Sequence, residues 1–202
     1  MPSSVQRALA IGAFVITATT AAAQAQTLMR DGGSRIGGFG GPAFRVTQAA
    51  GETMILGGGG GAVLLNRRLA IGGAGFGGTS RVDTRAIVGT DRGEMDFGYG
   101  GLTVEYIVNP TRLVHPTVGI LVGGGAVSVW PNDLRPRSGR SEREETFGVV
   151  EPQLAMELNV AKWFRMGGAV SYRAVIGAED VRLRTDELSG ASATMFFRFG
   201  AF

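Results

Sequence analysis

Apolar and polar residues alternate along most of this chain after its N-terminal segment. Within the segment 145–158, alternate positions such as Leu154 and Met156 are apolar, and the positions between them include Glu151 and Glu157. A period of two predicts β-strands with two unlike faces. No part of the sequence has a sustained helical period, so we expect an all-β fold.

Eight such segments follow one another, each about 13 to 18 residues long. Strands of soluble proteins average about 5–6 residues, whereas a strand that crosses a membrane needs about 9–11. An even number of long strands is typical of bacterial single-chain barrels. The predicted strands are 36–48, 52–65, 69–81, 94–108, 113–130, 145–158, 163–177 and 189–202.

The connections between these strands are of two kinds. Three are short and begin with asparagine, at Asn66-Arg67-Arg68, Asn109 to Arg112 and Asn159 to Lys162. The others are longer and rich in Asp, Glu and Arg, at 82–93, 131–144 and 178–188, except for a short link near 49–51. Short periplasmic turns and longer external loops are the plan of an outer-membrane barrel. We therefore predict an eight-stranded antiparallel up-and-down transmembrane β-barrel.

The N-terminus has the features of a cleavable signal peptide. Arg7 precedes an uncharged apolar run, and Ala23-Gln24-Ala25 is a small-x-small cleavage site. The alternative, a retained membrane helix, needs about 20 apolar residues, and this run has about 16. We expect a signal peptide at 1–25 and one barrel domain at 26–202. With no cysteine in the chain, stability must come from packing or closure.

Composition adds two constraints. The formal net charge is only +3, and acidic residues are interspersed with basic ones, so nucleic acid is not an expected partner. The 34 glycines lie inside apolar stretches and not in low-complexity tracts. Since an eight-stranded barrel is just wide enough for side chains to fill, we expect glycines to make room for Arg and aromatic groups in the lumen.

The polar positions of the alternating strands form the strongest candidate site. On the inner face of a narrow barrel these charges must be paired, because each isolated buried charge costs several kcal/mol. We predict a salt-bridged lumen without a large pore, and a structural or surface-interaction role; the alternative is a narrow channel. The predicted lumen residues are Arg45, Glu105, Glu151, Gln153, Glu157, Arg165, Arg173 and Arg198.

Signals for catalysis are weaker. The G-x-G-x-x-G match at Gly73 to Gly78 is followed by no amphipathic helix, which a nucleotide site needs. His115 is the only histidine; an outer-membrane lipid-modifying hydrolase using it with Ser171 or Glu151 is an alternative. We expect no enzyme, no cofactor and no metal site, since one His without Cys is a poor ligand set.

One external connection stands out by its charge. Residues 131–145 carry arginines interspersed with acidic side chains, which predicts a solvated loop. Arginine suits phosphate recognition, so the phosphates of lipopolysaccharide are the alternative partner of this loop. The arginines concerned are Arg135, Arg137, Arg140 and Arg143.

With these features, the mature chain resembles the small eight-stranded outer-membrane barrels, such as the OmpA-type transmembrane domain. Phe97-Gly98-Tyr99-Gly100-Gly101-Leu102 and Gly37 to Pro42 are similar to an uncharacterised barrel family. The resemblance implies an integral outer-membrane protein, a monomer in contact with outer-membrane lipid, recognised by the barrel-assembly machinery through its last strand. The competing interpretation is a soluble exported β-protein, such as a sandwich or small propeller.

The last strand departs from the usual terminal pattern. Apolar residues should alternate back from Phe202, but Arg198 falls in that phase, and Phe199 and Phe197 fall in the other. The sequence leaves two explanations: a bulge that shifts the register near Gly200, or a weak terminal signal.

Overall fold

The chain folds into one closed β-barrel. A computed structural model describes residues 35–49, 52–82, 93–131, 144–177 and 188–202. The predicted signal peptide at 1–25 lies outside these residues. In the described part of the chain, no helix has both the length and the apolar character to cross a membrane.

Eight antiparallel strands make up the barrel, each hydrogen-bonded to the next, and β8 closes it by pairing with β1. The predicted all-β, eight-stranded antiparallel architecture is confirmed, and every strand boundary lies within three residues of the prediction. The strands are β1 (Ile36–Ala49), β2 (Glu52–Leu65), β3 (Leu69–Val82), β4 (Gly93–Ile107), β5 (Val114–Pro131), β6 (Glu144–Ala161), β7 (Phe164–Ile176) and β8 (Gly190–Ala201).

The short connections lie together at one end of the barrel, which we call the turn rim: residues 66–68, 108–113 and 162–163, with Arg35 at the entry to β1. The opposite end is the loop rim. The β2–β3 turn has Asn66 at φ 51° and Arg67 at φ 62°. Positive φ at both central positions is the geometry of a type I′ hairpin, in which asparagine is favoured.

One predicted turn is wrong in its extent. The segment Asn159 to Lys162 was expected to connect two strands, but β6 continues to Ala161, and only residues 162–163 lie between β6 and β7. A register shift between Asn159 and Ala161 accommodates the extra length. The Asn159 side-chain amide donates to the carbonyl oxygens of Pro110 (3.0 Å) and Arg112 (2.6 Å), so it ties β6 to the neighbouring turn.

The outer face of the barrel is apolar. Leu102, on β4, is 73% exposed, and large aliphatic and aromatic side chains are exposed on every strand. Among the described outward-facing side chains of the strands, only Asp96, near the loop rim, is charged. A continuous apolar belt of this extent marks a surface that contacts lipid and not water.

The inner face is filled by side chains. A large apolar cluster occupies the middle and the loop-rim half, and a smaller one built on Leu64, Ala70 and Ile107 lies near the turn rim. The prediction that glycines make room for aromatic groups in the lumen is confirmed at Gly125 and Gly167, where an added Cβ would lie 2.7 Å from Phe147 Cζ and 2.6 Å from Phe196 Cζ. Gly119 makes room for polar side chains, since a Cβ there would lie 2.9 Å from both Gln153 Nε2 and Glu105 Cγ.

The end of β8 has a continuous register. Gly200 pairs with Phe39 and Phe199 with Gly40, without a shift. No bulge therefore occurs near Gly200 in the described strands, and the first explanation for the terminal pattern is wrong. Phe202 faces the lumen, where its ring stacks on Phe39 at 5.8 Å, in phase with Arg198.

Candidate functional site: the barrel lumen

Buried charges in the lumen form two groups at different heights. The group nearer the turn rim, the turn-side layer, consists of Glu105, His115, Glu157, Arg165 and Arg198. At its centre, Arg198 contacts both carboxylates, with Nη2 2.8 Å from Glu105 Oε2 and Nη1 2.7 Å from Glu157 Oε1. One guanidinium thus joins strands β4, β6 and β8 across the lumen.

Neutral donors complete this layer. Gln153 Nε2 donates to Glu105 at 3.1 Å, and Thr117 Oγ1 donates to Glu157 at 3.1 Å. Apart from His115, the layer contains two carboxylates and two guanidiniums, whose formal charges balance. Such balance is what a fully desolvated group of charges requires.

The second carboxylate oxygen of Glu157 is held more loosely. It lies 3.6 Å from His115 Nε2 and 3.7 Å from Arg165 Nη1, beyond hydrogen-bond range. All three atoms are buried without a hydrogen-bond partner. Among the described residues, this oxygen is therefore held without a hydrogen bond.

The second group, the loop-side layer, is built around Arg45. Its Nη1 lies 2.5 Å from Glu151 Oε1 and also contacts the Tyr99 hydroxyl, and its Nε donates to Thr194 Oγ1 at 2.8 Å. Tyr99 in turn donates to Glu151 Oε2 at 2.8 Å. Arg45 and Glu151 are both almost completely buried, and this pair spans the lumen between two strands that are not neighbours.

Arg173 links three segments of the chain near the loop rim. It donates to the carbonyl oxygens of Leu188 (3.0 Å, through Nε) and Gln48 (3.0 Å, through Nη2), and to Thr47 Oγ1 (3.2 Å). Its side chain is fully buried. It therefore joins β7 to the end of β1 and to the segment that leads into β8.

All four lumen arginines also lie over aromatic rings, an attraction that strengthens when the cation is desolvated. The guanidinium carbons lie 3.7 to 4.7 Å from the nearest ring centroids. The pairs are Arg45 over Phe76, Arg165 over Phe202, Arg173 over Phe97, and Arg198 over Phe196 and Phe39.

The eight side chains predicted for the lumen all lie on the inner face, as their phase in the alternation required. The structure adds partners that the sequence analysis did not select, namely Tyr99, Thr117 and Thr194. A signal was present for two of them, since Tyr99 shares the phase of Glu105 on β4 and Thr194 shares that of Arg198 on β8; Thr117 lies on β5, for which no lumen residue was predicted. The predicted external-loop arginines Arg135, Arg137, Arg140 and Arg143 lie outside the described residues.

Among the described residues, His115 pairs with neither of the partners considered for a hydrolase. The register of β5 against β6 places His115 opposite Glu157, whereas Glu151 pairs with Leu121 and Ser171 pairs with Gln153. His115 is fully buried. The G-x-G-x-x-G stretch lies inside β3, which continues as a strand to Val82. In the described part of the chain, no group of three or more His, Asp or Glu is placed to hold a metal ion.

Solved structures with the same fold are found at low sequence identity. Neisserial surface protein A matches with a TM-score of 0.54 and 12% identity, over 83% of this chain and 99% of that one. Ail of Yersinia pestis, in complex with the heparin analogue sucrose octasulfate, matches with a TM-score of 0.51 and 11% identity, over 84% of this chain and 99% of that one. The outer membrane protein OprG of Pseudomonas aeruginosa matches with a TM-score of 0.51 and 10% identity, over 85% of this chain and 97% of that one.

No protein-family model matches the sequence, and no curated protein is similar to it. The structural matches show the fold, which is that of the small eight-stranded outer-membrane barrels. The predicted resemblance is confirmed at this level. Closed barrels with an apolar outer belt occur in bacterial outer membranes, the location that sequence and fold both indicate.

Proposed function

We propose that the chain is an integral outer-membrane barrel whose lumen is closed by its two charged layers, and that it acts through its surface and not as a pore. The observation that carries this proposal is the burial of the lumen charges. Arg45, Arg165, Glu151 and Glu157 have at most 2% of their surface exposed. A water-filled channel would leave such groups hydrated.

The separation of the layers supports closure at more than one height. Glu151 and Glu157 lie six residues apart on β6, which is about 20 Å along the strand. The apolar cluster that includes Phe76, Phe97 and Leu121 fills much of the lumen around and beyond the loop-side layer. An ion would have to displace two sets of ion pairs and a packed apolar region to pass.

A non-catalytic role accords with the burial of His115 described above. The parts left to interact with partners are the rims and the external connections. There, the arginines of 131–145 suit the phosphates of lipopolysaccharide. Replacing Arg135, Arg137, Arg140 and Arg143 with Gln should lower lipopolysaccharide binding, and unchanged binding would remove that partner.

Planar-bilayer conductance tests the closed lumen. The purified wild-type protein should insert without steady conductance, next to a general porin as the positive control. A variant with Arg45→Ala and Arg198→Ala removes one guanidinium from each layer and should conduct more often than either single variant. A stable open channel in most wild-type insertions would contradict the proposal, whatever the variants do.

A further inference from the structure

Among the described residues, four exposed cations are distributed around the turn rim, one for each successive pair of strands. One lies at the entry to β1, and one lies in each of the β2–β3, β4–β5 and β6–β7 connections. They are Arg35, Arg68, Arg112 and Lys162. Arg67 also lies at this rim, but its Nε is buried, so it is not part of this exposed set, which we call the rim collar.

Each collar cation is followed directly by a large apolar residue. Leu113 is 68% exposed and Trp163 is 61% exposed, and the four pairs are Arg35-Ile36, Arg68-Leu69, Arg112-Leu113 and Lys162-Trp163. One residue of extended chain advances about 3.3 Å. Each pair thus sets a cation at the edge of the apolar belt and an apolar side chain just within it.

The turn rim carries no opposing charge on its exposed side chains. Residues 35, 66–68, 108–113 and 162–163 contain no Asp or Glu. The described carboxylates nearest in sequence to Arg112 and Lys162 are Glu105 and Glu157, which point into the lumen and are engaged by Arg198. The collar cations therefore lack carboxylate partners among the described residues of the rim, and they face outward.

A group of aromatic rings lies beside one collar cation. Trp163, next to Lys162, stacks with Phe199 at 6.1 Å and contacts Phe164 at 5.8 Å, and Phe164 stacks with Phe197 at 6.5 Å. Tryptophan is enriched where a membrane meets water. This fixes the depth of the collar: the rings lie at the interface, and Lys162 lies at the level of the headgroups.

We infer that the rim collar binds the phosphates of anionic glycerophospholipids in the leaflet that the turn rim faces. This inference rests on the proposed function as a membrane barrel. Cations at headgroup depth attract anionic lipid, and four evenly distributed sites would surround the barrel with it. Because short turns are periplasmic in outer-membrane barrels, the lipid belongs to the inner leaflet.

The two tryptophans of the chain make a local test possible. The Trp130→Phe variant leaves Trp163 as the only tryptophan, beside Lys162. It is reconstituted in two preparations of phosphatidylcholine vesicles. One contains brominated phosphatidylglycerol, and the other contains the same fraction of brominated phosphatidylcholine. Quenching of Trp163 then reports which lipid is nearby. We expect about fivefold preferential association of phosphatidylglycerol, the effect of one surface cation, and a smaller preference at high salt.

Two variants in this background locate the effect. Lys162→Gln should bring the preference close to one. Arg68→Gln, the matched control, removes a collar cation four strands away and should leave quenching at Trp163 nearly unchanged. Equal quenching by the two lipids in the Trp130→Phe chain itself would overturn the inference. A preference for phosphatidylglycerol that survives Lys162→Gln would also overturn it.

Two further outcomes separate this inference from the proposed function. If lipid A displaces the brominated lipid from Trp163 more strongly than phosphatidylglycerol does, the collar faces the other leaflet, and that result would overturn the inference. A chain whose Trp163 is quenched by neither brominated lipid is not in the bilayer, and that result would overturn the membrane barrel itself.

Discussion

Replacing Arg198 with Met tests how the turn-side layer is held together. Methionine keeps much of the length of the side chain and removes its charge and all its donors. Glu157 would keep Thr117 as a donor, with His115 and Arg165 nearby. Glu105 would keep only Gln153 among the partners that the structure describes. The substitution therefore leaves one buried carboxylate without a counter-charge.

The size of the effect follows from burial. Breaking a buried ion pair by removing one partner costs about 3–5 kcal/mol. The side chain of Arg198 is 11% exposed, so some solvent screening remains, and we expect the lower end, about 3 kcal/mol. Restoring neutrality with Glu105→Gln in the same chain should recover at least half of that loss, because the amide needs no counter-charge.

Urea unfolding in phosphatidylcholine vesicles, which contain no anionic lipid, is followed by tryptophan fluorescence and measures these free energies. Heat-modifiable gel migration confirms that each variant has folded. Arg68→Met is the matched control, since it removes an exposed arginine and should cost less than about 0.5 kcal/mol. A loss of stability for Arg198→Met no larger than that of this control would show that the ion pairs of Arg198 do not stabilise the layer. A double variant with Glu105→Gln that is no more stable than Arg198→Met alone would show the same.

Five further substitutions, two of them controls, test the turn, the glycines and the apolar belt by the same unfolding measurement. Asn66→Ala should lower the free energy of unfolding by about 1 kcal/mol, because alanine is strained at positive φ. Thr111→Ala in the next turn should change that free energy little, and equal losses for the two variants would contradict this. Gly119→Ala meets Glu105 and Gln153 side-chain atoms at 2.9 Å and should cost about 1–3 kcal/mol. Gly57→Ala, with open space around its Cβ, should be neutral or slightly stabilising, and a larger loss there than at Gly119 would reverse the argument. Val170→Arg should cost about 2–4 kcal/mol in the bilayer, and no loss would show that this face does not meet lipid.

The strands were predictable because their two faces contact different surroundings. Lipid on one side and a packed lumen on the other impose a strict period of two, which is visible in β6 from Phe147 to Leu158. The same phase identified Arg45, Glu105 and the other lumen charges as inward-facing. Because the two faces of each strand differ in this way, both the fold and the inward-facing charges of the candidate site could be predicted from the sequence.

The pairing of the lumen charges could not be predicted in this way. Arg45 on β1 meets Glu151 on β6, and Arg198 on β8 meets Glu105 on β4. These strands are not neighbours, so the contacts depend on the stagger of the closed barrel and not on any local spacing. The register shift near Asn159 could not be predicted either, because asparagine is typical of turns but here lies in a strand.

Cysteine accessibility in vesicles tests the central claim of a lipid-embedded barrel with a closed lumen. The chain has no cysteine, so Val170→Cys and Ser171→Cys place a thiol on the outer and inner face of β7, where the native side chains are 61% and 9% exposed. Arg68→Cys marks the aqueous rim. With a charged, water-soluble thiol reagent present on both sides of the membrane, we predict rapid modification at position 68 and protection at positions 170 and 171. Modification at position 171 as fast as at the rim would show a water-filled lumen and contradict the account.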